Sequence, residues 1–136
     1  MIAMPILYSS DKRIFTIHTA HSTYQLQADA LGNLLHLYYG ARSEGHMDYL
    51  LSYADRGFSG NPNAAGSDRT YSLDALPQEF PTQGTGDYRS PLLIVRDAKG
   101  VFGCQLRYRS HEILPASIAC PACPRSTPGR RTTPKR

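Results

Sequence analysis

No stretch of this 136-residue chain approaches the roughly 18 consecutive apolar residues that a membrane-spanning helix requires. The opening residues, Met1 to Tyr8, are apolar but short, and they lack a basic leading region. Asp11-Lys12-Arg13 follows too early for a secretory leader, so a cytoplasmic protein with no membrane attachment is the expectation. Cysteine is scarce, at three residues. Cys104 falls on the apolar side of a strand pattern and reads as a reduced core thiol. Cys120-Pro121-Ala122-Cys123 has the two-residue spacing of a metal or redox site. A zinc site needs two more ligands, and a redox pair usually opens a helix; the Pro-rich surroundings offer neither. The five histidines, at 18, 21, 36, 46 and 111, show no paired spacing of the H-x-x-x-H kind. No metal and no cofactor is expected.

Charge of one sign is also missing from most of the chain. The formal net charge is +4, yet residues 1–115 carry ten basic and eleven acidic side chains. Residues 116–136 carry five basic residues (Arg125, Arg130, Arg131, Lys135 and Arg136) and no acidic one. All the basicity therefore sits in the last segment, which weakens a whole-domain nucleic-acid reading. That segment has no large apolar residue after Ile118. It divides the chain into a body, 1–115, and a Pro/Arg-rich tail, 116–136, disordered or read out of frame. A basic arm for nucleic acid competes with that reading, but it lacks an aromatic stacking platform.

What the body does contain is short apolar runs separated by turn signals. Met4–Tyr8, Ile14–His18, Thr23–Ala28 and Leu34–Tyr39 read as strands. The third has a period of two, with Tyr24, Leu26 and Ala28 on one side and Thr23, Gln25 and Gln27 on the other, as in a half-buried strand. Asp29-Ala30-Leu31-Gly32-Asn33 reads as a turn with Gly32 free to take positive φ. Leu92–Arg96, the turn Asp97-Ala98-Lys99-Gly100 and the run from Phe102 to Tyr108 read as a hairpin with one buried face. A helical period is weakly present only around His46 to Tyr53. Many short strands argue for an all-β antiparallel sandwich, incomplete within these residues. Between the β segments, residues 56–91 form a long stretch rich in Gly, Pro, Asn, Ser and Asp, too particular in order for low complexity.

The most distinctive words lie in that stretch: Tyr71-Ser72-Leu73-Asp74-Ala75-Leu76-Pro77-Gln78-Glu79-Phe80-Pro81 and Gly84-Thr85-Gly86-Asp87-Tyr88-Arg89-Ser90-Pro91. Taken alone, Gly84-Thr85-Gly86 is a tight turn, since no strand before and helix after it frames a phosphate site. With Leu35-His36-Leu37-Tyr38-Tyr39-Gly40 upstream and Arg109-Ser110-His111-Glu112-Ile113-Leu114 downstream, the order resembles the N-terminal domain of family 36 α-galactosidases. The resemblance covers residues 4 to about 115.

That resemblance implies a β-sandwich placed before a (β/α)₈ barrel, in enzymes that remove terminal α-galactose from melibiose- and raffinose-type sugars with retention. Retention uses two carboxylates about 5–5.5 Å apart, which the family carries on the barrel. The present segment is then an N-terminal fragment, inert alone, whose exposed sheet edges invite aggregation. The family implies a homo-tetramer, with a loop of this domain walling a neighbour's active site. Asp48 and Arg56 are the nearest matches to its sugar-contacting acid and arginine, Asp48 as acceptor of hydroxyl hydrogens and Arg56 as planar donor. Against this stands a free-standing carbohydrate-binding or interaction module without catalysis.

Overall fold

The computed structural model describes residues 6–55 and 65–114. Arg56, the Cys120–Cys123 pair and the tail lie outside the described residues. Four strands, β1 (Ile6–Ser9), β2 (Ile14–His18), β3 (Ser22–Ala28) and β4 (Leu34–Ala41), form one antiparallel sheet in sequential order. The expected all-β class is met, and the described residues hold no α-helix. The three hairpins are local products of their turns. Arg13 takes a left-handed φ of 56° to close β1 onto β2. Between β3 and β4, Asp29 Oδ1 accepts the amides of Leu31 (2.9 Å) and Asn33 (2.7 Å). Gly32 there has φ 84°, as the turn chemistry foresees. β4 runs on through Gly40 to Ala41, and a bulge opposite Gln25/Leu26 shifts its register.

The second layer is irregular rather than a sheet. Tyr71, Leu73 and Leu76 lie against Leu35 of β4 as a buried cluster, with Leu31, Leu51 and Ala65 packed around it. Leu35, Leu73 and Leu76 have essentially no exposed surface. Pro77–Glu79 then runs antiparallel along β4. The His36 amide donates to Pro77 O (2.7 Å) and the Glu79 amide to Leu34 O (2.9 Å). Proline suits this position because its carbonyl is used while it has no amide to satisfy. At one end of the layer, the Tyr71 hydroxyl donates to Asp29 Oδ2, and Asn33 Nδ2 donates to that hydroxyl at 2.6 Å. Burial, reinforced by the Asp29 contact, pushes the Tyr71 hydroxyl well above the usual tyrosine range. The core is thereby tied to the β3–β4 turn.

Three expectations need correction. In β3, it is Thr23 and Gln25 that are fully buried, while Tyr24 and Leu26 are half-buried. The period of two is right, but a polar face is covered because a loop satisfies it. The run from Leu92 to Tyr108 closes its turn without forming strands; only single bridges pair Thr82 with Leu93 and Arg96 with Phe102. Beyond that run, His111 packs on Tyr8 and Phe15, with ring centroids 4.2 and 4.7 Å away. Cys104 is free and only half-buried, so it is not a core thiol.

Truncating a buried leucine leaves a cavity that the neighbours fill only in part. Leu73→Ala should therefore lower stability by about 3 kcal/mol, whereas Leu92→Ala, at a side chain 64% exposed, should stay within about 0.5 kcal/mol. Urea unfolding followed by circular dichroism measures both.

Candidate functional site

Asp48 opens a single 3₁₀ turn, Asp48–Leu50, which takes the place of the weak helical period near His46. Nothing in that short turn could hold its own position. Its anchor is the buried polar face of β3. Gln25 Nε2 donates to Gly45 O at 2.6 Å, and the Met47 amide donates back to Gln25 Oε1 at 3.0 Å. Thr23 Oγ1 accepts the Ser43 amide (3.0 Å), donates toward Ser43 O (3.2 Å) and lies 2.9 Å from His18 Nδ1. Each buried polar atom is thus paired, which is the condition for burying it at all. Residues 43–47 are fastened to the sheet through side chains and deliver Asp48 to the surface.

There the carboxylate meets Lys12 from the β1–β2 turn, whose Nζ donates to Asp48 Oδ2 at 2.9 Å and Oδ1 at 3.2 Å. That hydrogen bond holds the Asp48 carboxyl below the usual carboxylate range. An exposed pair of this kind adds little stability. Its effect is to keep the group ionised and to set its orientation. A carboxylate has about four lone-pair sites, so Lys12 leaves room for two hydroxyl donors. Tyr49 and Leu50 beside it are 73% and 53% exposed. A carboxylate flanked by an exposed ring can take a polyol, hydroxyls on the oxygens and a C–H face on the ring. The sequence singled out Asp48 but missed Lys12, Thr23 and Gln25. No local signal marks them, since their roles come from pairings across 20 residues or more.

The Gly84–Arg89 word has a different task. Arg89 forms a two-pronged pair with Asp87, Nε to Oδ1 at 2.9 Å and an Nη to Oδ2 at 2.8 Å. The same Nη also donates to Leu73 O (2.8 Å) and Leu76 O (2.7 Å). Gln78 Nε2 donates to Asp87 Oδ2 at 2.7 Å. The Asp87 side chain is 1% exposed, and the Arg89 guanidinium beside it holds its carboxyl below the ordinary range. Gly84 (φ 89°) and Gly86 (φ 88°) make the tight turn that brings Asp87 inward, as expected. Gly84 also lies against the Gly103 backbone, which an added Cβ would meet at 3.2 Å. Among the described residues, no group of three or more His, Cys, Asp or Glu side chains could hold a metal ion.

Residues 32–131 match the family described as the glycosyl hydrolase family 36 N-terminal domain. The chain is 63% identical over 110 residues to the bifunctional α-galactosidase/sucrose kinase AgaSK of Mediterraneibacter gnavus, covering 81% of this chain and 12% of that protein. It is 36% identical over 110 residues to the α-galactosidase Mel36A of Lactobacillus acidophilus, covering 79% and 15%. Among solved structures, the galactosidase domain of AgaSK superposes with a TM-score of 0.77 at 62% identity, over 79% of this chain and 15% of that one. The family 36 α-galactosidase AgaB of Geobacillus stearothermophilus gives 0.69 at 36% identity, over 80% and 14%. The chain thus spans 12–15% of the length of these relatives.

The Asp87–Arg89 pair makes a pH prediction. Because the folded pKa of Asp87 is depressed, the stabilisation is fully present above the unfolded value near 3.9 and is lost as pH falls through the folded one. Asp87→Asn should cost about 2 kcal/mol near pH 6. The difference from the parent chain should shrink as pH falls below the unfolded value and through the folded one. Urea midpoints across that range give the comparison; a constant offset would contradict it.

Proposed function

Because this chain belongs to the glycosyl hydrolase family 36 N-terminal domain family, we propose that it frames the substrate site of an α-galactosidase without carrying the catalytic groups. The observation that carries this reading is the match of most of the chain to the opening domain, and only that domain, of proteins that hydrolyse α-galactosides. The whole enzyme removes terminal α-galactosyl residues from melibiose- and raffinose-type sugars by a retaining mechanism, with its two carboxylates on a barrel outside these residues. Asp48 accepts hydroxyl hydrogens of the sugar, held ready by Lys12 and by the Thr23/Gln25 anchorage of its loop. Arg56 is the companion donor. The assembly is a homo-tetramer in the cytoplasm, with Asp48 serving a neighbouring subunit. No helix among the described residues is long and apolar enough to cross a membrane.

The body, 1–115, is the domain, and 116–136 is a tail of different character. The family match runs on to residue 131, so this boundary rests on composition.

The isolated chain should leave p-nitrophenyl α-galactoside unhydrolysed; turnover would overturn the reading. Grafting its matched residues in place of the equivalent segment of the AgaSK galactosidase domain should preserve hydrolysis. In that graft, Asp48→Asn should raise KM about tenfold, the loss of one charged hydrogen bond, with a smaller change in kcat. An unchanged KM would remove Asp48 from the sugar site.

A further inference from the structure

His18 is a buried ionisable side chain to which the sugar-site reading gives no task. It is 3% exposed and stands directly opposite Thr23 in the β2–β3 register, so the two side chains rise from the same face of the sheet. Thr23 has no exposed surface, and three groups converge on its hydroxyl. The Ser43 amide donates to Oγ1 at 3.0 Å, Ser43 O lies 3.2 Å away and His18 Nδ1 2.9 Å away.

A hydroxyl has one hydrogen and two lone pairs. The Ser43 amide can only donate, so it occupies one lone pair. Ser43 O can only accept, so it needs the hydrogen. His18 Nδ1 can play either part, depending on which ring nitrogen carries the proton. With the proton on Nδ1, the ring donates into the second lone pair and the hydroxyl hydrogen is left for Ser43 O. Three hydrogen bonds form. With Nδ1 bare, it competes with Ser43 O for the same hydrogen; one of the two goes without a donor, and a lone pair of the hydroxyl stays empty. A hydroxyl closed off from solvent favours the arrangement that satisfies every partner.

We propose that His18 is a positioning residue: its Nδ1–H aims the Thr23 hydroxyl at Ser43 O and so fixes the loop that presents Asp48. It acts through Thr23 and Ser43 and does not reach the sugar. The loop has other fastenings. The Arg42 amide donates to His21 O (2.9 Å), the Arg42 guanidinium to Thr19 O (3.0 Å), and Gln25 holds Gly45 and Met47. A fault at Ser43 therefore tilts the loop rather than releasing it, and the expected effect is modest. The proposal rests on the assignment of Asp48 to the sugar site, and its test separates the two.

A long-range nitrogen–proton correlation spectrum of the full 136-residue chain at about pH 8, where an unperturbed imidazole is neutral, reads the tautomer directly. His18 should show a protonated Nδ1 and a bare Nε2; the reverse pattern overturns the proposal. In the AgaSK graft, His18→Asn keeps a donor near the place of Nδ1, whereas His18→Asp, as a carboxylate, offers only acceptors. His18→Asn should leave KM for p-nitrophenyl α-galactoside within about twofold of the parent graft, and His18→Asp should raise it about fivefold with a smaller change in kcat. An equal rise in both variants marks a merely structural residue and overturns the proposal. So does a parent-like KM in His18→Asp while Asp48→Asn raises it. A parent-like KM in both His18→Asp and Asp48→Asn, with the Nδ1-protonated tautomer present, leaves His18 as the anchor of the loop and removes Asp48 from the sugar site. Should the His18→Asp graft not fold, amide exchange of the isolated chain takes its place. There His18→Leu should speed exchange of the Ser43 amide at least about fivefold and His18→Asn by no more than about twofold; equal rates in the two variants overturn the proposal.

Discussion

The Asp87–Arg89 pair is what lets a loop serve as the second layer of this domain. Residues 71–76 lie outside any strand pairing, which begins only with Pro77–Glu79 along β4, so their carbonyls are not satisfied by a ladder. One Arg89 nitrogen takes two of them, Leu73 O and Leu76 O, while the same guanidinium grips Asp87. The two leucines whose backbone is held this way are the ones that pack on β4. Without the Arg89 side chain, the Leu73 and Leu76 carbonyls and the buried Asp87 carboxylate would all lose a donor together, leaving Gln78 to serve Asp87 and Leu73 alone among side chains. The tight turn through Gly84 and Gly86 exists to bring the two ends of the clamp into register.

A comparable economy governs the rest of the sheet face that Leu35 belongs to. Thr23 and Gln25 are buried not to fill a core but to hold residues 43–47 by their backbone. A loop fastened by paired buried groups has few alternative positions. The short turn bearing Asp48 inherits that rigidity without any cap of its own. Lys12, from a different hairpin, then sets the charge and aim of the carboxylate. Rigid scaffold and exposed carboxylate are therefore separate parts, joined by Thr23 and Gln25, which do not touch Asp48 themselves.

The same division explains where the domain looks unfinished. The β1–β4 sheet and its irregular layer satisfy their own polar groups, and no buried side-chain polar atom among the described residues lacks a partner. The hairpin beyond Pro91 does not reach that state, since its apolar side chains face outward and its arms pair only at single bridges.

The sequence by itself determined the all-β class, the four strands and their turns. These depend on period-two patterning, positive φ at Gly32 and Asx chemistry at Asp29, all of which act over a few residues. The family words were legible too, because their order is specific; Asp48 was named only through that resemblance, and its part in a sugar site is a proposal. Arg56 was named as well, but it lies outside the described residues. Which face of β3 is buried was decided only by tertiary structure, because Thr23 and Gln25 become buriable when a loop 20 residues away supplies their hydrogen bonds. The Leu92–Tyr108 strands failed for the converse reason: their pattern is right, but a strand forms only against a partner. Asp87 and Arg89 could be read as a motif, yet their work on the carbonyls of Leu73 and Leu76 is a three-dimensional fact that no spacing encodes.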